Sequence, residues 1–276
     1  MRDSRRDLWA VVLAGGAGDS PAPLRHTLDR VTRLIPPSQT LVVTHAAAHV
    51  AGEVAGHPAI TVLAQPCDRG TAAGVLLAAH WIRARAPGAV AAVFPTNHLV
   101  VAESVPMSHV AAAGEYVRDH PEWLLLLGVH PTEPGFDGAW IEPGEPVGWT
   151  GRGAVHRIRA LHEKPPADLA RRLHGRALCN TFAFTATVTA LVEAGLACLP
   201  LLHDRLTRFD LFTGTRYETM ALQQAYLFAP TADFSRTILA SSTIPLAVVE
   251  VPAVSWWDLG APERVAGRVG VEDRRE

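Results

Sequence analysis

The first 128 residues alternate between short, continuously apolar runs and segments of helical period, and few folds accommodate that rhythm. Residues 8–13, 41–44, 60–63, 90–94 and 123–128 read as strands. Residues 24–34, 71–83 and 104–119 read as helices, the first with Leu24, Leu28, Val31 and Ile35 along one face. Strands that are apolar at successive positions, and not at every second one, are buried on both faces. The pattern predicts an α/β chain whose largely parallel sheet is covered by helices on both sides, with ligands at the carboxyl ends of the strands.

Beyond Gly128 the rhythm changes. Residues 131–153 are rich in Gly, Pro and Glu, and "AWIEP" and "VHRIRALHEKP" read as strands flanking a loop. Helical segments near 168–174, 188–194 and 218–228 precede late strands at 246–251 and 255–257. No period of 20 to 50 residues recurs, which excludes a solenoid. With 48% hydrophobic residues and no low-complexity linker, residues 1–276 are expected to form one domain, with 1–128 and 129–276 as its halves.

Twenty-five basic against 27 acidic residues leave no electrostatic footprint for nucleic acid. Cys67, Cys179 and Cys198 are far apart and form no CxxC pair, as expected of reduced thiols. The apolar run after the charged N-terminus is too short for a signal peptide, and no run reaches the ~18 residues of a membrane span. A cytoplasmic protein acting on small molecules, without nucleic-acid or membrane partners, is the expectation.

The 25 basic residues are 24 arginines and a single lysine, Lys164. An ammonium is a compact point charge that a guanidinium fork does not replace, so a lysine retained against such a bias is a candidate functional group. The turn after the first strand, "LAGGAG", offers backbone N–H groups to phosphate at Gly15, Gly16 and Gly18. Yet no Lys or Arg occurs from Ala14 to Leu24. A dinucleotide fingerprint lacks its acidic residue, since the second strand ends at Thr44, and a Walker loop lacks Gly-Lys-Ser/Thr. His45 and His49 would stand one turn apart on a helix but have no third ligand in the motif, and no GxSxG elbow occurs.

"VVLAGGAG" resembles the start of sugar-1-phosphate nucleotidyltransferases, particularly mannose-1-phosphate guanylyltransferases, and the likeness recurs in order along nearly the whole chain. "LIPPSQTLVVT" resembles their second strand, "QPCDRGTAAGVLLAAHWI" their nucleotide-side loop and helix, and "VFPTNHLV" their P-S-D-H segment. "GVHPTEPGFDGAWIEPG" resembles the sugar-side loop, "HEKPP" the E-K-P motif, "CNTF" the W-N-S/T segment and "SWWDLGAPERV" the late W-x-D-x-G motif. The resemblance implies a three-layer α/β/α, Rossmann-like nucleotidyltransferase fold with a mostly parallel mixed sheet. It implies attack of a sugar-1-phosphate oxygen on the α-phosphate of a nucleoside triphosphate, with pyrophosphate released and Mg²⁺ as cofactor. On that pattern Gly15, Gly16 and Gly18 cradle the triphosphate, and Gln65, Arg69 and Thr71 lie near base and ribose. Gly138, Glu163 and Asn180 hold the sugar, Lys164 its phosphate, and Asp258, with Asn97, the metal. Catalysis is carried by Lys164 and Asp258. A homodimer is compatible with the pattern; trimerisation through a hexapeptide-repeat tail is not expected.

The departures are specific. The family's first loop carries an arginine and a later proline-lysine pair, whereas "GGAGDSPAPLRHTL" passes almost directly into a helix. Arg25, at the start of that helix, is expected to face solvent. Asn97 stands where the family usually has a second metal-binding aspartate, and an amide offers a neutral carbonyl in place of a charge. Losing one preorganised charge typically costs about two to three orders of magnitude in rate, and groups that act as a unit are not additive. Two functions are therefore expected as alternatives: a guanylyltransferase-type enzyme, or a catalytically impaired homologue that binds nucleotide or nucleotide-sugar as a regulatory or binding module. A shortened form of an active enzyme is a third.

Overall fold

A computed structural model of the chain describes residues 7–15, 21–96, 98–100, 104–131, 138–241, 243–252 and 256–258. The apolar runs of the first half become β1 (Leu8–Leu13), β2 (Thr40–Thr44), β3 (Thr61–Ala64) and β4 (Val90–Pro95). These strands are parallel in the order β3-β2-β1-β4, and α1 (Pro21–Thr32), α2 (Ala47–Val54) and α3 (Gly70–Arg83) connect them. The short β5 (His98–Val100) and α4 (Ser104–Asp119) lead to β6 (Leu124–Val129).

The later residues supply β7 (Trp140–Trp149), β8 (Ala154–His162), α5 (Ala167–Leu173), β9 (Leu178–Thr187), α6 (Val188–Cys198), α7 (Pro200–Asp210) and α8 (Glu218–Tyr226). A π-helical turn (Ser235–Leu239), β10 (Leu246–Val251) and β11 (Trp256–Asp258) follow. One sheet takes nine strands in the order β3-β2-β1-β4-β9-β6-β10-β8-β7, while β11 pairs with β5 in a separate ribbon. β9 runs antiparallel to both β4 and β6, so β1, β2, β3, β4, β6 and β10 all point one way.

Side chains alternate along these strands between two cores. Val11, Val93, Leu126, Phe184 and Val248 face α3, α6, α7 and α8 on one side. Ala10, Ala92, Leu125 and Val249 face α4 and the end of α1 on the other, where Val12 and Val42 meet α1 and α2. Helix α3 is buried at every position from Ala72 to Ile82, which a helix tolerates when it is apolar nearly all round. Leu24, Leu28, Val31 and Ile35 are all buried along the predicted face of the first helix. The three-layer α/β/α arrangement with a mixed sheet is the expected one.

Several elements depart from the sequence reading. The loop expected before "VHRIRALHEKP" is mostly strand, because β7 runs on to Trp149 through Pro143, Gly144, Pro146 and Gly148. Proline cannot donate to a ladder, and β7 accommodates two by lying at the end of the strand order and by shifting register around Pro143 and Pro146. The second is β9, which lies at the centre of the sheet although Asn180, Thr181 and Thr185 interrupt its apolar run. Helix α7 falls in a stretch the periodicity reading leaves unassigned, although Leu202, Leu206 and Phe209 have helical spacing behind Pro200 at its first turn. Among the described residues no helix is long and apolar enough to cross a membrane.

A polar seam runs between α3 and α7. His80, fully buried, places Nδ1 2.8 Å from Asp210 Oδ2, and Arg83 donates to the same oxygen at 2.9 Å. The His203 ring lies 5.4 Å from that of His80. Desolvation, followed by the neighbouring His80 and Arg83, lowers the His203 pKa from its ordinary 6.5, against the opposing effect of Asp210 and Asp204. The unfolded chain then binds a proton at His203 at a higher pH than the folded one does, so stability falls as pH drops below about 6.5. His203→Gln is expected to flatten that acid slope, as read from urea midpoints at pH 7.5 and 5.5; an unchanged slope would contradict the assignment.

Candidate functional site

The chain leaves the sheet at the end of β1 through Ala14 and Gly15. The Ala14 N–H donates to the Val43 carbonyl (2.9 Å), and the Thr96 hydroxyl to the Leu13 carbonyl (3.2 Å), which ties the carboxyl ends of β1, β2 and β4 together. Gly15 sits there, where a Cβ would stand 3.3 Å from His45 Nδ1. Gly16, Gly18 and Asn97 lie outside the described residues. Arg25 is exposed, as expected, and donates to Glu53 of α2 at 2.8 Å. Helix α2 begins at Ala47, which leaves His45 outside it and removes the helical His45/His49 pair. Among the described residues no three His, Cys, Asp or Glu side chains gather to hold a metal ion.

Gln65, Arg69 and Thr71 are braced by a segment more than 150 positions later. Gln65 donates its N–H to the Thr44 carbonyl (2.7 Å), and its side-chain Oε1 accepts from the Tyr226 hydroxyl (2.9 Å). Arg69 donates to the Tyr226 carbonyl (3.3 Å). The Thr71 hydroxyl accepts the Phe234 N–H (2.8 Å) and donates to Asp233 Oδ2 (3.3 Å). Between them the backbones pair directly, Ala232 N–H to the Arg69 carbonyl (3.0 Å) and Ala72 N–H to the Ala232 carbonyl (3.1 Å). Gly70 makes this approach possible at φ +78°, because a Cβ would stand 2.4 Å from the Ala232 carbonyl oxygen. Burial raises the Tyr226 phenol above its usual range, which keeps it a hydrogen-bond donor.

Glu163 and Lys164 follow the last residue of β8. Glu142, across the hairpin, accepts from His162 (2.6 Å) and from Arg159, and the Arg159 bond followed by the His162 bond holds its carboxyl below the ordinary range. Lys164 is exposed and has a left-handed backbone, φ +45°, uncommon for a residue with a side chain. The Glu163 carboxyl is pushed up, first by desolvation and then by the negative charge of Asp233, against a hydrogen bond from Ser235 and the charges of Arg236 and Lys164. The segment that holds Asp233, hydrogen-bonded to Thr71, and Ser235, hydrogen-bonded to Glu163, thus meets residues from both halves of the chain.

Asn180 is buried at the start of β9, opposite Gly128 of β6. Its N–H donates to the Ala139 carbonyl (2.8 Å), which brings Gly138 alongside, and its Oδ1 accepts from the N–H of Phe182, whose φ is +54°. The Phe182 ring meets Phe184 and Phe234 edge to face at 6.0 Å each, and Phe184 stacks on Phe234 at 5.0 Å. This aromatic trio joins the Asn180 turn to Phe234, and through Phe234 and Asp233 to Thr71 and Glu163. Asp258 ends β11, its backbone paired with that of His98 in β5.

Tyr226, Asp233 and Phe234 are not readable as site residues in the sequence, since nothing local marks them and their partners are 157 to 163 positions away.

No family model and no curated protein matches the chain. Solved structures do. One is mannose-1-phosphate geranyltransferase from Thermus thermophilus, with 24% identity over 95% of this chain and 80% of that one, at a TM-score of 0.77. Another is mannose-6-phosphate isomerase from Helicobacter pylori, with 16% identity over 91% of this chain and 100% of that one, at 0.70. A third is UDP-glucose pyrophosphorylase complexed with UDP-glucose, with 11% identity over 97% of this chain and 100% of that one, at 0.54. The chain has a Rossmann-like nucleotidyltransferase fold. In such a sheet the carboxyl ends of the strands are where ligands bind, and that edge is where Gly15, Gln65 and Asn180 lie.

Proposed function

We propose that the protein joins a nucleoside triphosphate and a sugar-1-phosphate into a nucleotide-sugar with release of pyrophosphate, in the manner of a mannose-1-phosphate guanylyltransferase. The observation that carries this reading is the convergence on one segment, residues 226–236, of Gln65, Arg69 and Thr71 from one half of the chain and Glu163 from the other. Two substrates must meet for this chemistry, and a shared brace between nucleotide-side and sugar-side residues is what their alignment needs. A sugar-phosphate oxygen would form a bond to the α-phosphorus as the bond to the leaving pyrophosphate breaks. Lys164 would hold the sugar phosphate, Gly138, Glu163 and Asn180 the sugar, and backbone N–H groups of the turn at Gly15, Gly16 and Gly18 the triphosphate. Gln65, Arg69 and Thr71 would shape the base and ribose side.

One carboxylate and one amide, Asp258 and Asn97, suit an ion that keeps its waters and takes substrate phosphates as further ligands. Mg²⁺ bound there would offset the triphosphate charge. The test is pyrophosphate release from GTP and mannose-1-phosphate: release that needs both substrates is expected, and background-level release would sink the reading.

A second reading is favoured by the absence of any Lys or Arg between Ala14 and Leu24 and by the pairing of Arg25 with Glu53. On it the chain binds nucleotide or nucleotide-sugar without turnover. Calorimetry with GDP-mannose separates the two, because tight binding with no pyrophosphate release belongs to the second alone.

A further inference from the structure

Helix α8 is apolar on two opposite faces. Leu222, Ala225 and Tyr226 are buried against the body of the protein. Tyr217 at the N-cap, Met220, Gln224 and Leu227 at the C-cap follow at spacings of three, four and three residues, which align side chains along one stripe of a helix. All four are exposed, Tyr217 at 42%, Met220 at 53% and Leu227 at 56%, and Phe228 extends the stripe at 67%. Leu211 and Phe212, in the turn that joins α7 to α8, are exposed as well.

A surface helix ordinarily turns charged residues outward. Between Leu211 and Phe228 the exposed residues carry one charge, that of Arg216, whose guanidinium lies 4.7 Å over the Tyr217 ring. The carboxylate of that stretch, Glu218, is occupied by the Trp81 indole N–H (2.9 Å) and the Gly214 N–H. Tyr, Phe, Met and Arg without exposed Lys, Asp or Glu is the composition of an interface core.

A second copy of this chain fits the stripe on three counts. Its polar centre is Gln224 flanked by Gln223, and an amide both donates and accepts, so it pairs with itself across a two-fold axis. The Arg205 guanidinium lies 5.4 Å from the Phe228 ring, so the first turns of α7, with Asp204, sit beside the end of α8. An antiparallel two-fold at Gln224 therefore keeps the two Arg216 residues roughly 20 Å apart, beyond the Debye length, and turns each toward the exposed Asp204 of the other copy, which Arg208 shares at 3.0 Å. At the exposures above, Leu211, Phe212, Tyr217, Met220, Leu227 and Phe228 leave on the order of 700 Å² accessible, close to the ~800 Å² that each partner gives a stable interface.

We propose that α8 packs antiparallel against α8 of a second copy, forming a symmetric homodimer with Tyr217, Met220, Gln224 and Leu227 of each chain in contact. The inward face of the same helix carries Tyr226, which holds Gln65 and Arg69, so α8 joins this interface to the candidate site.

The full chain at micromolar concentration is expected to sediment as a dimer. Gln224→Glu sets like charges against each other at the axis and is expected to raise the dissociation constant at least tenfold, as is Leu227→Glu, with circular dichroism unchanged because both side chains are exposed. Gln224→Lys alone should dissociate in the same way, and an equimolar mixture of the Gln224→Glu and Gln224→Lys proteins should recover the dimer, which misfolded variants would not do. A chain that sediments as a monomer, including one whose outward α8 face is covered by another segment of its own, overturns the proposal. So does a dimer that Gln224→Glu and Leu227→Glu both leave intact, or a charge-swapped mixture that stays monomeric. Sedimentation needs no substrate, so the result is independent of pyrophosphate release.

Discussion

Lys164→Ala is expected to lower pyrophosphate release from GTP and mannose-1-phosphate by a factor of about 10² to 10³, the usual cost of removing one preorganised charge from a transition state. In kcat/KM terms that is a loss of roughly 3 to 4 kcal/mol. The chain has 24 arginines and no second lysine, so no neighbouring ammonium can take over. Lys164 is exposed, and alanine inherits the same left-handed backbone at φ +45°, so the melting temperature should hardly move. Lys164→Arg is expected to recover part of the rate, because the charge returns while its shape changes. A Lys164→Ala protein that turns over at the parental rate would show that the ammonium does not meet substrate.

Gly70→Ala is expected to destabilise the fold by roughly 3 kcal/mol, from about 1 kcal/mol for the left-handed conformation and a further 1 to 3 for forced displacement of packed atoms. The obstacle is backbone: the added Cβ would stand 2.4 Å from the Ala232 carbonyl oxygen, and that carbonyl also accepts the Ala72 N–H. Gly175→Ala is the control. Gly175 has almost the same dihedral, φ +76°, but nothing within 4 Å of its Cβ position, so it should cost only the conformational part, about 1 kcal/mol. Urea melts of the two variants check the difference, and equal losses would mean that residues 69–72 and 232 separate without cost. Since this contact braces Arg69 and Thr71, Gly70→Ala is also expected to weaken nucleotide binding.

Much of the architecture is readable because it is written locally. Continuously apolar runs with no polar interruption mark β1, β2, β4 and β6, and the period of Leu24, Leu28, Val31 and Ile35 marks the buried face of α1. β9 does not read as a strand because Asn180, Thr181 and Thr185 break its pattern. Their polar groups are satisfied in ways a pattern search does not register. The Thr181 hydroxyl donates to the Leu127 carbonyl (2.7 Å), and Asn180 Oδ1 caps the Phe182 N–H. The extent of β7 is hidden for the opposite reason, since its prolines and glycines read as loop while an end position in the sheet tolerates them.

By itself the sequence determined the layers, the glycine turn after the first strand and the isolation of Lys164, because period, turn chemistry and composition are properties of neighbouring residues. Only the tertiary structure decided that Gln65, Arg69 and Thr71 rest on Tyr226, Asp233 and Phe234, and that Ser235 of the same segment meets Glu163. Contacts between residues over a hundred positions apart arise from strand order and from how helices cross the sheet, and neither leaves a mark on the local alternation of apolar and polar side chains.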